Sequence, residues 1–319
     1  MKRFISLVFC FLFLFLSACS GRLTRESIQL ALGYIPDVQF APVYYAISKG
    51  FFTDAGLKVE TVHMDENQAA ALVGAGELQF AVVSGEQVLL ARAQGLPIVY
   101  VAAWYREYPV SVVAKAGTDL TSPADLRGMT IGLPGLYGAS YIGLRALLHA
   151  GGLTEADVTL DSIGYTQREA LVTDRDPVVA VYTANEPVQL RADGYELTEL
   201  RVADYVDLAG NGILVSEETL QNDPDLVRRF VRAFLHGLTE AAADPAAAYT
   251  TSRDYVETLA LDDPVQQQVL TTSISLWAVE NPGWSDPTAW ENTQALLLDM
   301  GLLTLPLDLS KAFTNDHLP

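Results

Sequence analysis

The chain has 319 residues, half of them hydrophobic, and a formal net charge of −19 at pH 7. This length exceeds what one hydrophobic core usually organises, so it predicts two lobes that fold without cross-links. A surface with this charge repels phosphates and anionic headgroups, which argues against nucleic acid as a partner. Solubility explains the acidity most simply, and the net charge therefore identifies no ligand.

The N-terminus predicts export. Lys2 and Arg3 precede an uncharged apolar run, residues 4–16, that is too short to span a bilayer well. The run ends in LSAC, and small residues directly before a cysteine resemble a bacterial lipobox. We therefore expect a signal peptide at residues 1–18 and a lipid anchor on Cys19 that holds the protein at the membrane, outside the cytoplasm.

Cysteine usage agrees with this interpretation. Cys10 would leave with the signal peptide, so Cys19 would be the only cysteine of the mature chain. A single acylated cysteine leaves no disulfide and no free thiol for catalysis or metal binding. Residues 19–27 are then expected to be the anchor and a linker.

Strands and helices alternate after the linker. Apolar runs predict strands at residues 28–32, 57–60, 80–83, 98–103, 110–114, 130–132, 158–161 and 178–182. Helical spacing, often closed by glycine, predicts helices at residues 40–49, 67–74, 87–94, 139–151 and 167–172, with another near 122–125. This rhythm predicts an α/β fold with parallel sheets and helices on both faces. Residues 173–177 are interpreted as a polar surface turn, and residues 223–319 as mostly helical.

Open α/β sheets bind ligands beyond the carboxyl ends of their strands. The loops predicted there are rich in aromatic and amide side chains, with a few carboxylates. Such a set suits a flat, uncharged ring with polar edges. The candidate ligand-binding residues are Tyr34, Asp37, Gln39, Phe40, Ser84, Gln87, Trp104, Tyr105, Tyr137, Ser140, Tyr182, Asn185, Glu186 and Asn211.

Several of these positions have two interpretations. Asn185 and Glu186 can pair with the edge of a ring, or they can begin a helix as its N-cap and first turn. Phe40 and Trp104 can form walls around a ring, or they can be core and hinge packing. The glycine-containing loop at residues 133–140 can present backbone N–H groups to a ligand or be only a tight turn that starts a helix.

Patterns typical of catalysis are missing from the sequence. The four histidines His63, His149, His236 and His317 have no metal-ligand spacing. Neither a Gly-x-Ser-x-Gly elbow nor a Gly-x-x-x-x-Gly-Lys phosphate loop occurs. We therefore expect no catalytic site, no metal site and no cofactor.

Three groups of residues read like a family signature: GYIPD and FAPVYYA within residues 33–46, KGFF and AGLKV within 49–59, and SPADLRGMTIG with PG within 122–135. Together they resemble the periplasmic-binding-protein-like proteins of the thiamine-pyrimidine, sulfonate and riboflavin uptake group. The likeness covers essentially the whole mature chain. It implies the substrate-binding component of an ABC importer, which works as a monomer with a cognate permease.

The resemblance also implies a domain organisation. The fold would be the type II form, in which two α/β lobes are joined by two hinge crossovers and hold ligand in the cleft between them. Lobe 1 would contain residues 28–109 and 206–319, and lobe 2 residues 110–205.

Within this group, the first cleft loop favours riboflavin. Pyrimidine-uptake members typically read Trp-x-Pro-Asn-x-x-His there, whereas this chain has Tyr34, Asp37 and Phe40 in place of the tryptophan, asparagine and histidine. Residues 34–42 and 103–105 are similar to riboflavin-uptake members, so riboflavin is expected as transported ligand rather than cofactor. A thiamine pyrimidine precursor is the alternative and a sulfonate the third option. The related fungal pyrimidine-forming enzyme is disfavoured, because this chain lacks its cysteine-rich motif.

Overall fold

The structure, a computed structural model, describes residues 25–319, and the predicted signal peptide and Cys19 lie outside them. The described chain contains ten strands in two sheets. In chain order the strands are β1 Glu26–Leu32, β2 Leu57–His63, β3 Phe80–Val83, β4 Ile98–Ala103, β5 Val110–Lys115, β6 Thr130–Leu133, β7 Thr159–Ser162, β8 Val178–Tyr182, β9 Leu197–Arg201 and β10 Gly212–Ser216.

Both sheets are mixed. The first has the order β2-β1-β3-β10-β4, in which β10 is antiparallel to β3 and β4 and the other neighbours are parallel. The second has the order β7-β6-β8-β5-β9, in which β5 is antiparallel to β8 and β9. The α/β prediction is confirmed, but the prediction of parallel sheets is wrong. Strands β5 and β10, which follow the two passages of the chain between the sheets, run against their neighbours.

Helices connect the strands and cover the sheets. They are α1 Ala41–Ser48, α2 Phe51–Asp54, α3 Glu66–Gly74, α4 Gly85–Ala93, α5 Gly138–Ala150, α6 Gln167–Val172, α7 Glu186–Ala192, α8 Glu217–Asn222, α9 Pro224–Ala243, α10 Pro245–Ser252, α11 Pro264–Trp277 and α12 Pro287–Asp299. None of the helices in the described part of the chain has the length and apolarity to cross a membrane.

The long helix α9 explains how the C-terminal stretch is held on the first sheet. Asp223 caps its start by accepting from the backbone N–H of Leu226 at 2.9 Å, and Pro224 occupies the first turn, where no amide donor is needed. Its buried apolar residues recur every three or four positions and belong to the core cluster that contains residues of β1 and β3. The ring of Phe230 stacks on that of Phe80 in β3, with centroids 3.8 Å apart. Burying one such ring contributes about 1.5–3 kcal/mol.

The chain passes between the sheets through residues 104–109 and again through residues 202–211. The two passages are hydrogen-bonded to each other, because the backbone N–H groups of Trp104 and Tyr105 both donate to the carbonyl of Asn211, at 2.9 and 3.1 Å. These hydrogen bonds place three predicted site residues at the junction of the two sheets.

The prediction of a surface turn at residues 173–177 is wrong for Asp176. Its side chain is fully buried beneath Gly132, and neither carboxylate oxygen has a hydrogen-bond partner among the described residues. Burial raises the pKa of this carboxyl, and the nearby charge of Asp161 raises it further. The sequence does not reveal this burial, because the burial arises only when the fold places Gly132 of β6 over the side chain of Asp176.

Candidate functional site

A cavity of about 970 Å³, including its opening to solvent, lies among loops of both sheets. Its walls come mainly from segments that follow the carboxyl ends of strands, as expected for α/β sheets. The lining residues are Gly33, Tyr34, Gln39, Phe40, Asp65, Glu66, Asn67, Val82, Trp104, Tyr105, Pro134, Tyr137, Gly138, Ala139, Ser140, Tyr165, Gln167, Tyr182, Asn185, Glu186 and Asn211.

The structure brings most of the predicted site residues together in this cavity. Those that line it are Tyr34, Gln39, Phe40, Trp104, Tyr105, Tyr137, Ser140, Tyr182, Asn185, Glu186 and Asn211. The other three, Asp37, Ser84 and Gln87, do not line it. Asp37 caps the short 3₁₀ turn that follows it, Ser84 is fully buried behind the wall, and Gln87 is buried in α4.

The sequence prediction omits Asp65, Glu66 and Asn67, because it ends the second strand at residue 60. Strand β2 runs to His63, three residues beyond its predicted end, so these polar residues directly follow a strand. Tyr165 follows β7 by three residues and was missed although the same rule applies to it. The rule that found the other residues would have found these with correct strand ends.

Aromatic rings form two groups in the cavity wall. Phe40, half-buried, meets Trp104 edge to face with centroids 6.0 Å apart, and Trp104 stacks on Tyr105 at 5.9 Å. On the other side, Tyr34 and Tyr165 meet edge to face at 4.8 Å and join loops that follow strands of different sheets. The cavity therefore offers apolar surface from both sheets, which suits a flat ring.

The backbone of Tyr34 has an unusual conformation. Its φ is 67°, in the left-handed region that non-glycine residues rarely adopt. The Nδ1 atom of His63 lies 3.2 Å from the Tyr34 carbonyl oxygen, within hydrogen-bond distance, and helps to hold this conformation. Burial lowers the pKa of His63. Such backbone strain clusters at functional sites, where the surroundings enforce it.

The pair Asn185 and Glu186 is engaged within its own segment. The side-chain amide of Gln189 donates to Asn185 Oδ1 at 2.6 Å, and the backbone N–H of Tyr182 donates to Glu186 Oε2 at 3.1 Å. Asn185 occupies the N-cap position of α7 and Glu186 its first turn, as the N-cap interpretation has it, but the Asn185 side chain makes no capping hydrogen bond. Burial raises the pKa of Glu186 to about 7.

Two carboxyl groups share the buried Ser84: that of Glu66, which lines the cavity, and that of Glu86, which is fully buried behind the wall. Glu66 accepts from the backbone N–H of Ser84 at 3.0 Å and from its hydroxyl at 2.7 Å, and the Asn211 amide donates to its other oxygen at 3.1 Å. Ser84 Oγ also contacts the carboxyl of Glu86. Since a hydroxyl has one proton to give, one of these two contacts requires a proton on its carboxyl, and the raised pKa of Glu86 assigns the proton to Glu86. Burial and the Glu66 charge raise the pKa of Glu86 to about 8.

The charge of the lining disfavours an anionic ligand. The described residues of the lining include Asp65, Glu66 and Glu186 but no lysine, arginine or histidine. The start of α5 does reach the cavity, yet Arg145 in that helix is paired with Glu155 at 3.0 Å. A buried anion without a cationic partner is costly. Within residues 25–319, no group of three or more histidine, cysteine, aspartate or glutamate side chains is placed to hold a metal ion.

Comparison with known proteins gives a consistent picture. The family model described as NMT1/THI5 like matches residues 37–248. The riboflavin-binding protein RibY of Chloroflexus aurantiacus is 43% identical over 93% of this chain and 87% of its own length. The formylaminopyrimidine-binding protein of Halalkalibacterium halodurans is 28% identical over 99% of each chain.

More distant matches include an enzyme and solved structures. The 4-amino-5-hydroxymethyl-2-methylpyrimidine phosphate synthase THI11 of Saccharomyces cerevisiae is 23% identical over 93% of this chain and 89% of its own. The periplasmic aliphatic sulphonate binding protein SsuA of Escherichia coli superposes with a TM-score of 0.74 at 14% identity, covering 91% of this chain and 92% of that one. At this identity the likeness establishes the fold alone, which is that of periplasmic binding proteins.

Proposed function

This chain belongs to the NMT1/THI5-like family, and we propose that it is the extracytoplasmic substrate-binding component of an ABC importer that captures riboflavin. The observation that carries the proposal is the 43% identity with riboflavin-binding RibY along 93% of the chain. The family resemblance predicted from the sequence is confirmed by the family match. With ligand bound, the protein would then have a cognate permease as its partner.

The cleft chemistry supports riboflavin. The ligand has a three-ring plane, which the aromatic walls at Phe40 and Tyr34 can sandwich. Its imide edge and ribityl hydroxyls call for the amides and tyrosines that line the cavity. The uncharged ligand also needs no cation, and the described lining has none.

Titration with riboflavin tests the proposal directly. Ligand that binds only the folded protein stabilises it by about 2.7 kcal/mol at a hundred times Kd. We therefore expect the melting temperature of the protein without residues 1–19 to rise with riboflavin concentration. Flavin fluorescence should be quenched as the ring stacks on aromatic side chains. Absence of both effects at micromolar protein would contradict riboflavin as the ligand.

The formylaminopyrimidine-binding relative supports a second candidate ligand, a thiamine pyrimidine precursor. Its lower identity and the presence of Phe40 rather than histidine place it second. An enzymatic role like that of the yeast relative has less support, because the chain lacks a cysteine-rich motif. Unchanged recovery of the bound compound after prolonged incubation distinguishes binding from turnover.

The ring of Phe40 is expected to contribute strongly to affinity. Stacking against a ring contributes about 1–3 kcal/mol in other systems, so Phe40→Ala should weaken riboflavin binding about ten- to a hundredfold. Phe40→His should also weaken it and favour a single pyrimidine ring. Fluorescence titration measures both changes.

Phe313→Ala is the matched control for Phe40→Ala. Phe313 is also half-buried and stacks on Trp290 at 4.9 Å, but it does not line the cavity. It should lower the melting temperature and leave affinity unchanged. If Phe40→Ala behaved in the same way, Phe40 would be a core residue and not a wall of the site.

The domain limits and the anchor complete the proposal. We assign residues 28–109 and 206–319 to lobe 1 and residues 110–205 to lobe 2. Apart from Glu26 and Ser27, which begin β1 within the predicted linker, the strands of the first sheet fall in the first set and those of the second sheet in the other, which supports these limits. Cys19 would carry the lipid, and the protein would act as a monomer anchored to the cell membrane, outside the cytoplasm.

A further inference from the structure

Two residues of the cavity wall each have a buried polar atom without a partner. The side-chain oxygen Oε1 of Gln39 and the indole Nε1 of Trp104 have no hydrogen-bond partner among residues 25–319. Both residues line the cavity, and they are only 7% and 3% exposed. Buried polar groups in native proteins nearly always have a partner, so an exception at a cavity points to a ligand. One atom is an acceptor and the other a donor.

The orientation of Gln39 is set by its neighbour in sequence. Asp37 accepts from the backbone N–H of Gln39 at 2.9 Å. Burial raises the pKa of Asp37, and hydrogen bonds from both the backbone and the side-chain amide of Gln39 oppose that shift. Because the carboxylate can only accept from the amide nitrogen, the Gln39 oxygen is left as the free end. Asp37 is therefore a positioning residue, which explains its place outside the lining.

The indole of Trp104 is fixed by rings on several sides. Phe234 meets it edge to face at 5.4 Å, and Trp277 does so at 5.9 Å. A ring held in this way keeps its N–H direction with little loss of side-chain entropy on binding. The N–H is thus preorganised for an acceptor on the ligand.

The opposite wall is less available for edge recognition. Asn185 Oδ1 already accepts from Gln189, and Glu186 Oε2 already accepts from a backbone N–H. A ligand would have to compete with these bonds. Gln39 Oε1 and Trp104 Nε1, in segments that follow strands of the first sheet, have no hydrogen bond among the described residues to give up.

We propose that Gln39 and Trp104 recognise the polar edge of the ligand ring, Gln39 Oε1 accepting from a ring N–H and Trp104 Nε1 donating to a ring carbonyl. The inference rests on the proposed capture of a flavin and names the chemistry that this site requires. A cyclic imide or amide carries this combination, and the pyrimidine-like ring of riboflavin contains one imide N–H, at N3.

The first experiment compares riboflavin with N3-methylriboflavin on the wild type and on Gln39→Leu. Losing one hydrogen bond to a buried partner should weaken binding on the order of tenfold. We expect the wild type to bind the methylated compound that much more weakly, and Gln39→Leu to bind both compounds equally. Since leucine keeps the bulk of glutamine, a purely steric effect of the methyl group would persist in the variant and would overturn the proposal.

The second experiment compares Trp104→Phe with Trp290→Phe. Both indoles are buried, but Trp290 does not line the cavity, and its Nε1 donates to Ser285 Oγ at 2.7 Å. We expect Trp104→Phe to bind riboflavin about tenfold more weakly, and Trp290→Phe to bind as the wild type does. Equal affinities of the two variants would overturn the role of Trp104.

Circular dichroism melting identifies variants that fail to fold. In that case, the comparison of the two flavins on the wild type still decides the proposal, because equal binding of both contradicts it. If the wild type binds riboflavin no more tightly than the methylated compound, edge recognition is refuted but the proposed function is not. A wild type that binds neither compound refutes the proposed function instead.

Discussion

Replacing Glu86 by glutamine should remove a large loss of stability that the wild-type protein suffers between about pH 5 and pH 8. Burial, and then the charge of Glu66, raises the pKa of Glu86 from 4.5 to about 8. The folded protein therefore holds a proton that the unfolded chain releases above about pH 4.5. The stabilisation is fully present below that pH and is lost as the pH rises through 8. A shift of this size corresponds to roughly 3–5 kcal/mol.

Glutamine imitates the protonated carboxyl, because its amide N–H can donate to Ser84 Oγ. The variant should therefore match the wild type near pH 5 and exceed its stability by roughly 3–5 kcal/mol near pH 8. Urea unfolding across this range measures the difference. Some pH dependence will remain, because burial also raises the pKa of Glu186, to about 7.

Glu77→Gln serves as the control for Glu86→Gln, since Glu77 is exposed. It should leave the pH profile of the wild type unchanged. Parallel profiles for wild type and Glu86→Gln would show that Glu86 is ionised in the folded protein, and the proton assigned between Glu86 and Ser84 would be wrong.

Gly212→Ala should destabilise the protein by about 3 kcal/mol or more, at the upper end for added core atoms. A Cβ at this position would lie 2.1 Å from the Tyr100 hydroxyl and 2.3 Å from the carbonyl oxygen of Ala102. Tyr100 is only 1% exposed and donates to the carbonyl of Gly210 at 3.2 Å, so its ring cannot move aside freely. The carbonyl of Ala102 is part of the backbone of β4.

Urea unfolding at one pH measures the effect of Gly212→Ala. The double variant Tyr100→Phe with Gly212→Ala should recover only part of the loss, because the Ala102 carbonyl remains. Since Asn211 precedes Gly212 and lines the cavity, riboflavin affinity should fall as well. An unfolding midpoint equal to that of the wild type would mean that β10 does not approach β4 this closely.

Much of the site followed from local patterns. Tyr34, Gln39 and Phe40 lie in the segment between an apolar alternating strand and the next helix, and Asn185 and Glu186 follow another strand. Since strand ends in an α/β sheet converge at one edge, the position of a polar or aromatic residue after a strand predicts its place at the cleft. The prediction worked for most residues that follow correctly predicted strand ends, but not for Asp37, Ser84 and Gln87, and it missed Glu66, where β2 continued further.

The sequence by itself determined the α/β alternation, the family and most of the cleft lining, because these depend on local periodicity and short motifs. Only the tertiary structure decided the direction of β5 and β10, the burial of Asp176, the shared proton of Glu86 and the unpartnered atoms of Gln39 and Trp104. Strand direction depends on where the chain re-enters a sheet. Protonation and hydrogen-bond satisfaction depend on neighbours distant in sequence, such as Glu66 beside Glu86 or Asn211 beside Glu66, and no local pattern encodes those distances.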